Sequence, residues 1–174
     1  MIDFLKYIIN YLFLNALCFF IPHPKLRACY LKVLGAKIGK NVRIENVKFI
    51  QVQFSVKNLQ CADNVFIGTG VVIDLSSTIT IGANSTIAPG CSLITHEDMG
   101  EFNENKLSQL YRKKYLSILI KENVFIGCDT TVLPGTTVDC LTVVGAKSLV
   151  KGHIPNKVLV AGIPAKVIKS LEIE

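Results

Sequence analysis

The sequence contains no tryptophan, and aromatic residues make up only 8% of it. A core of stacked rings is excluded, so filling falls to Val, Ile, Leu and Thr, residues that suit buried strands. Charged residues are scarce at 18%, while half the chain is apolar, which excludes a disordered or fibrous polypeptide. No stretch interleaves aromatic with basic residues, so no nucleic-acid surface is predicted. None of the six cysteines (Cys18, Cys29, Cys61, Cys91, Cys128, Cys140) stands in a C-x-x-C pair, which argues against zinc ribbons and dithiol redox motifs. Their apolar neighbours predict reduced, buried thiols of a cytosolic protein. The three histidines, His23, His96 and His153, lack the spacing of a zinc site; no metal is expected.

No apolar run reaches the roughly 20 residues of a bilayer span. Phe4 to Ile21 comes nearest but carries Lys6, Asn10 and Asn15. It lacks a basic leader and an A-x-A cleavage site, so no signal peptide is predicted. Asp3, Lys6 and Asn10 share one helical face, and Tyr11 to Ile21 is apolar nearly all round. Lys25, Arg27 and Lys32 follow at once. The segment therefore reads as a helix on something greasy, either the inner face of the cell membrane or the protein itself. The net charge of +6 suits a phosphate-bearing ligand or an anionic membrane.

What the chain has in abundance is a repeat. Ile120, Ile126, Val132, Val138, Val144 and Val150 recur at every sixth position. Ile38, Ile44 and Ile50 share one phase, Ile67 and Ile73 follow, and Ile81, Ile87 and Leu93 resume after a shift. A period of six matches neither a helix nor simple alternation. It fits a prism, in which each hexad supplies a short strand and a corner and three hexads complete a coil. Aliphatic residues point inward, and Gly, Asn, Asp, Pro and Thr turn the corners. About six such coils stack into one column. Residues 1–34 read as a helical segment, broken by Pro22 and Pro24 and stopped by Gly35. Residues 35–169 form the prism, 97–117 leave the repeat as a polar loop, and 170–174 are a tail.

Two segments carry a resemblance to a known family. Residues 124–169, VFIGCDTTVLPGTTVDCLTVVGAKSLVKGHIPNKVLVAGIPAKVIK, resemble the closing pattern of hexapeptide-repeat acyltransferases, in the branch that O-acetylates sugars. LITHED, at 93–98, resembles the T-H segment that carries that branch's catalytic histidine. The resemblance implies a mainly-β fold, a left-handed parallel β-helix assembled as a homotrimer, with acetyl-CoA as donor and a sugar as acceptor. That acceptor would be a surface polysaccharide unit, its lipid-linked precursor, or a free sugar or xenobiotic.

Acetyl transfer to a hydroxyl needs a base, and neutral imidazole titrates in the right range. His96 ends an in-phase hexad where the repeat breaks into the loop, and the resemblance makes it the catalytic base. Glu97, Asp98 or a backbone carbonyl are candidates to hold its second ring nitrogen. The resemblance implies that Asp74, about one coil earlier, touches the acceptor, and Phe125 and the loop residues Tyr111 and Arg112 are expected beside it. For the coenzyme the resemblance implies Cys128, Gly145 and Ala146 along a slot for pantetheine, and Lys151, Lys166 and Lys169 near its phosphates. Two other readings of the repeat are a metal hydratase, which needs three converging histidines, and a non-catalytic scaffold, which needs regular Thr arrays.

Overall fold

The computed structural model describes residues 2–98, 106 and 110–172. Three parallel sheets wrap a single apolar column. Face one stacks Lys37–Ile38, Leu59–Cys61, Ile79–Ile81, Ile118–Ile120, Thr137–Val138 and His153–Ile154. Face two stacks Arg43–Ile44, Phe66–Ile67, Thr86–Ile87, Phe125–Ile126, Val143–Val144 and Val158–Gly162, and the antiparallel strand Ala165–Ser170 closes it. Face three stacks Lys48–Ile50, Val72–Asp74, Ser92–Leu93, Thr131–Val132 and Leu149–Val150. The six strands of face one mark six coils, as the hexads predict.

The ladders keep inward residues in register. Ile73 lies opposite Leu93, and Leu93 opposite Val132; all three are fully buried. Corners need backbone in the left-handed region. Between faces one and two, Asn41, Asn64 and Asn84 adopt φ of 53°, 59° and 59°, which asparagine tolerates better than most residues. Their amides bond in a ladder up the edge, each link 3.0 Å long. In the first coil the hexad phase slips. Phe49, not Ile50, points inward opposite Ile73, and Ile50 pairs with Asp74. The corner after Ile44 is one residue short, so the aliphatic spacing there misleads by one place.

The N-terminal segment forms helix Ile2–Tyr11, a π-helical turn Leu12–Leu17, and a short helix Cys18–Phe20. Helix Pro24–Val33 follows, with Pro24 in its first turn and the His23 ring accepting from Lys25 N–H at 3.2 Å. Leu14 and Cys18 are buried against the prism. Asn15 does what a neighbouring strand would do. Its Oδ1 accepts from Phe49 N–H at 2.8 Å, and its Nδ2 donates to Phe49 C=O at 3.1 Å. Asn10 Nδ2 donates to Val52 C=O at 2.8 Å. These bonds cover an edge strand that would otherwise invite pairing with another chain. The remaining helix surface stays apolar and exposed: Phe4, Leu5, Leu12, Phe19 and Phe20 are each about half exposed or more. No described helix is long and apolar enough to cross a membrane.

The cysteines depart from expectation. Cys18, Cys61 and Cys91 are buried, but Cys29 and Cys128 are exposed and Cys140 is half-buried. Cys29 sits on the outer side of helix Pro24–Val33, and Cys128 at a corner. An apolar local sequence does not guarantee burial at such outward positions.

Candidate active site

The corner from face three to face one holds the candidate site. In coil two it is reached through Asp74 and Ser76, and in coil three through Thr95 and His96. Asp74 is fully buried. Its Oδ2 accepts from His96 Nδ1–H at 2.6 Å, Thr95 N–H at 2.7 Å and His96 N–H at 3.1 Å. Its Oδ1 accepts from Ser76 N–H at 2.9 Å and Ser76 Oγ–H at 2.6 Å. Burial pushes the Asp74 carboxyl up, but these donors outweigh it and hold the group below its ordinary value of 3.8. Asp74 is therefore an anion at neutral pH. A carboxylate cannot donate, so His96 Nδ1 carries a proton, and in the neutral ring Nε2 then presents a lone pair. The His96 side chain is 19% exposed, enough for Nε2 to be reached.

Thr95 explains its place before the histidine. Its hydroxyl donates to Asp74 C=O at 3.1 Å and accepts from Ser77 N–H at 3.0 Å. It thereby clamps the corner of one coil to the next.

Asp74 was expected at the acceptor; instead it lies under the imidazole with both oxygens occupied and no surface for a sugar. Glu97 and Asp98 do not hold the ring either. Glu97 pairs with Lys114 in a two-stranded ladder, and Asp98 bonds Lys113 at 3.2 Å. His23 caps a helix and His153 Nε2 lies 2.9 Å from Asp139 Oδ2, so neither joins His96. Among the described residues no group of His, Cys, Asp and Glu could hold a metal ion.

Three residues bordering the candidate site escaped the sequence reading. Gln51 Nε2 lies 3.4 Å from His96 Nε2. Gln51 occupies the left-handed position of the same corner in coil one, at φ 54°, where later coils have Gly135 and Gly152. Gln53 donates its side-chain amide to Gln51 Oε1, which leaves the Gln51 NH2 facing the ring. Phe54 meets Tyr115 edge to face at 5.3 Å between centroids, and Tyr115 pairs with His96 across the two-stranded ladder. The one available signal was the break in hexads after Ile50.

The long loop leaves through His96–Glu97 and returns through Lys114–Tyr115. Tyr111 and Arg112 are exposed just before that return; residues 99–105 and 107–109 lie outside the described residues.

No protein-family profile matches the chain; whole proteins do. WcaF of Escherichia coli K12, an acetyltransferase named for colanic acid biosynthesis, is 35% identical over 143 residues, covering 82% of this chain and 74% of WcaF. The galactoside O-acetyltransferase of the same organism is 31% identical over 153 residues, covering 86% of this chain and 72% of the enzyme. The chain belongs to the hexapeptide-repeat sugar O-acetyltransferases. A hexapeptide-repeat acetyltransferase from Vibrio cholerae superposes with TM-score 0.83 at 22% identity over 99% of this chain and 94% of its own. A galactoside acetyltransferase in complex with coenzyme A gives 0.80 at 26% identity, covering 98% and 82%. A coil of opposite hand would not superpose so closely, so the winding is the family's left-handed one.

Within this member of the family, the residues expected at coenzyme A lie apart from His96. Cys128, Gly145 and Ala146 sit at the corner between faces two and three, a full face away. Gly145 is small for packing reasons: an added Cβ would stand 2.9 Å from the Ala161 Cβ of the next coil. Its N–H already donates to Val160 C=O at 2.8 Å, so it has no N–H to offer a ligand. Ala146 and Cys128 are exposed at that corner. Phe125, expected at the acceptor, is exposed on face two and not beside His96. Lys166 and Lys169 are exposed on the closing strand. Lys151 lies on the same edge as His96, two coils further along.

Proposed function

We propose that this chain transfers the acetyl group of acetyl-CoA to a sugar hydroxyl, with His96 as the catalytic base and Asp74 as the residue that positions it. The observation that carries the reading is the 2.6 Å bond from His96 Nδ1 to a buried, ionised Asp74, which in the neutral ring turns the Nε2 lone pair toward the Gln51 amide. The relatives named above supply the reaction class: one is named for galactoside and one for colanic acid biosynthesis. His96 Nε2 takes the proton of the acceptor hydroxyl as its oxygen attacks the thioester carbonyl. The tetrahedral intermediate collapses, the C–S bond breaks, and the imidazolium returns the proton to the departing coenzyme thiolate. Asp74 stabilises the imidazolium between these steps, and no covalent acyl-protein species forms. Gln51 marks the place of the incoming hydroxyl, and Tyr111 and Arg112 border the acceptor mouth.

The separation of His96 from Cys128 and Ala146 by one whole face supports a homotrimer. In it, the imidazole of one copy meets a coenzyme held along the small-residue corner of its neighbour, with Lys166 and Lys169 near the phosphates. The exposed apolar surface of residues 4–20 supports peripheral contact with the cytoplasmic face of an anionic membrane, where a surface-glycan precursor would be found.

The test is a screen of free and lipid-linked sugars with acetyl-CoA, read by the mass of one added acetyl group. Acetylation of lipid-linked or glycan-derived sugars is expected. Acetylation of only non-sugar compounds would contradict the acceptor class, and acetyl-CoA turnover with no acceptor dependence would contradict the transfer itself.

A further inference from the structure

Between the N-terminal helical segment and residues 53–56 lies a cavity of about 420 Å³, within the size range of small-molecule sites. Phe13, Leu14, Leu34 and Phe54 give it apolar walls, and Lys6 and Gln53 add polar groups. Two of these residues join it to the reaction centre. Gln53 bonds Gln51, whose amide stands 3.4 Å from His96 Nε2. Phe54 lies against Tyr115, the ladder partner of His96. The groove thus ends on the Gln53 amide, with Gln51 standing between it and His96 Nε2, and its apolar body leads away from there. That body continues onto exposed helix surface: Phe13 is 43% exposed and Leu12 48%. A fold gains nothing from leaving such side chains open to water.

Resting on the acetyltransferase reading, we infer that the acceptor is an amphiphilic glycoside. Its sugar lies at Gln51 and His96, and its apolar aglycone fills the groove between the helix and residues 53–56. Selection by the groove is then selection for a chain on the sugar, independent of coenzyme binding, which the neighbouring copy provides.

The test uses the full-length protein and two ligands, methyl and n-octyl β-glucoside, the latter kept below its micelle concentration. Binding is measured by calorimetry and light scattering reports the oligomer. The octyl glycoside should bind at least tenfold more tightly than the methyl glycoside. Phe13→Ser should reduce that advantage about tenfold without changing the oligomer's mass. Leu5→Ser, on the exposed helix surface outside the groove, should leave it intact. Equal affinity for the two glycosides would overturn the inference. So would equal losses in both variants, which would mean that the chain merely adheres to the helix. A change of mass in Phe13→Ser would show that a neighbouring copy fills the groove, with the same consequence. The acetyltransferase reading fails separately: chain-dependent binding with no acetyl transfer to any sugar would refute it and the acceptor role of the groove together. Transfer to sugars without chain dependence would refute the groove alone.

Discussion

At the scale of single residues, the site is decided by how many donors converge on one carboxylate. Asp74 accepts five hydrogen bonds, and three of them end on Oδ2, where a neutral amide nitrogen would clash with every donor. Asp74→Asn should therefore misplace or mis-protonate the ring. Steady-state kinetics should show kcat down by about 10²–10⁴-fold with acetyl-CoA affinity little changed. The same carboxylate links stability to pH. Its folded-state value is depressed, so its contribution is full above the ordinary 3.8 and is lost as pH falls below it. In acid titrations followed by circular dichroism, Asp74→Asn should flatten the stability loss in that window. The T-H context singles out His96 in the sequence, and the hexad count places Asp74 one coil away on the same edge. It could not reveal that Asp74, which follows the inward Ile73, is wholly covered at the corner by Ser76, Thr95 and His96, because those partners depend on how the two coils stack. Gln51 was hidden for the same reason: a glutamine at a corner carries no periodic signal, and its neighbour across the coil is 45 residues away in sequence.

At the scale of elements, the hexads made the prism legible because each inward residue repeats the same environment. The helical segment is read less completely, since its apolar residues satisfy two demands at once. One line, Leu14 and Cys18 with Asn10 and Asn15 beside them, seats the segment on the first coil; the rest faces outward. Asn15 is the residue on which this seating turns. Asn15→Ala would strand the N–H of the buried Phe49 and should cost roughly 1–3 kcal/mol. For a domain of this size that lowers Tm by about 2–4 °C per kcal/mol, measurable by calorimetry. An unchanged Tm would show that the helices ride on the prism without supporting it. The corner residues were partly legible too. Asn41, Asn64 and Asn84 announce left-handed turns, whereas Leu141, Lys147 and Lys157 take the same conformation with nothing in their chemistry to indicate it.

At the scale of the whole molecule, the prism keeps the proposed base and the proposed coenzyme corner on different edges, and the proposed trimer reunites them between copies. Two inactive chains should then complement each other. Co-expressed His96→Ala and Ala146→Trp chains, the second blocking the small-residue corner, should form mixed trimers with activity that neither makes alone. Silence from the mixed trimers would place both functions in one copy. The most direct measurement is the rate of acetyl transfer by the assembled His96→Ala protein, with acetyl-CoA binding measured alongside. A role for His96 as the base predicts intact assembly, unchanged coenzyme affinity and turnover reduced by about 10²–10⁴-fold. Turnover within a few-fold of the unmodified protein would contradict it.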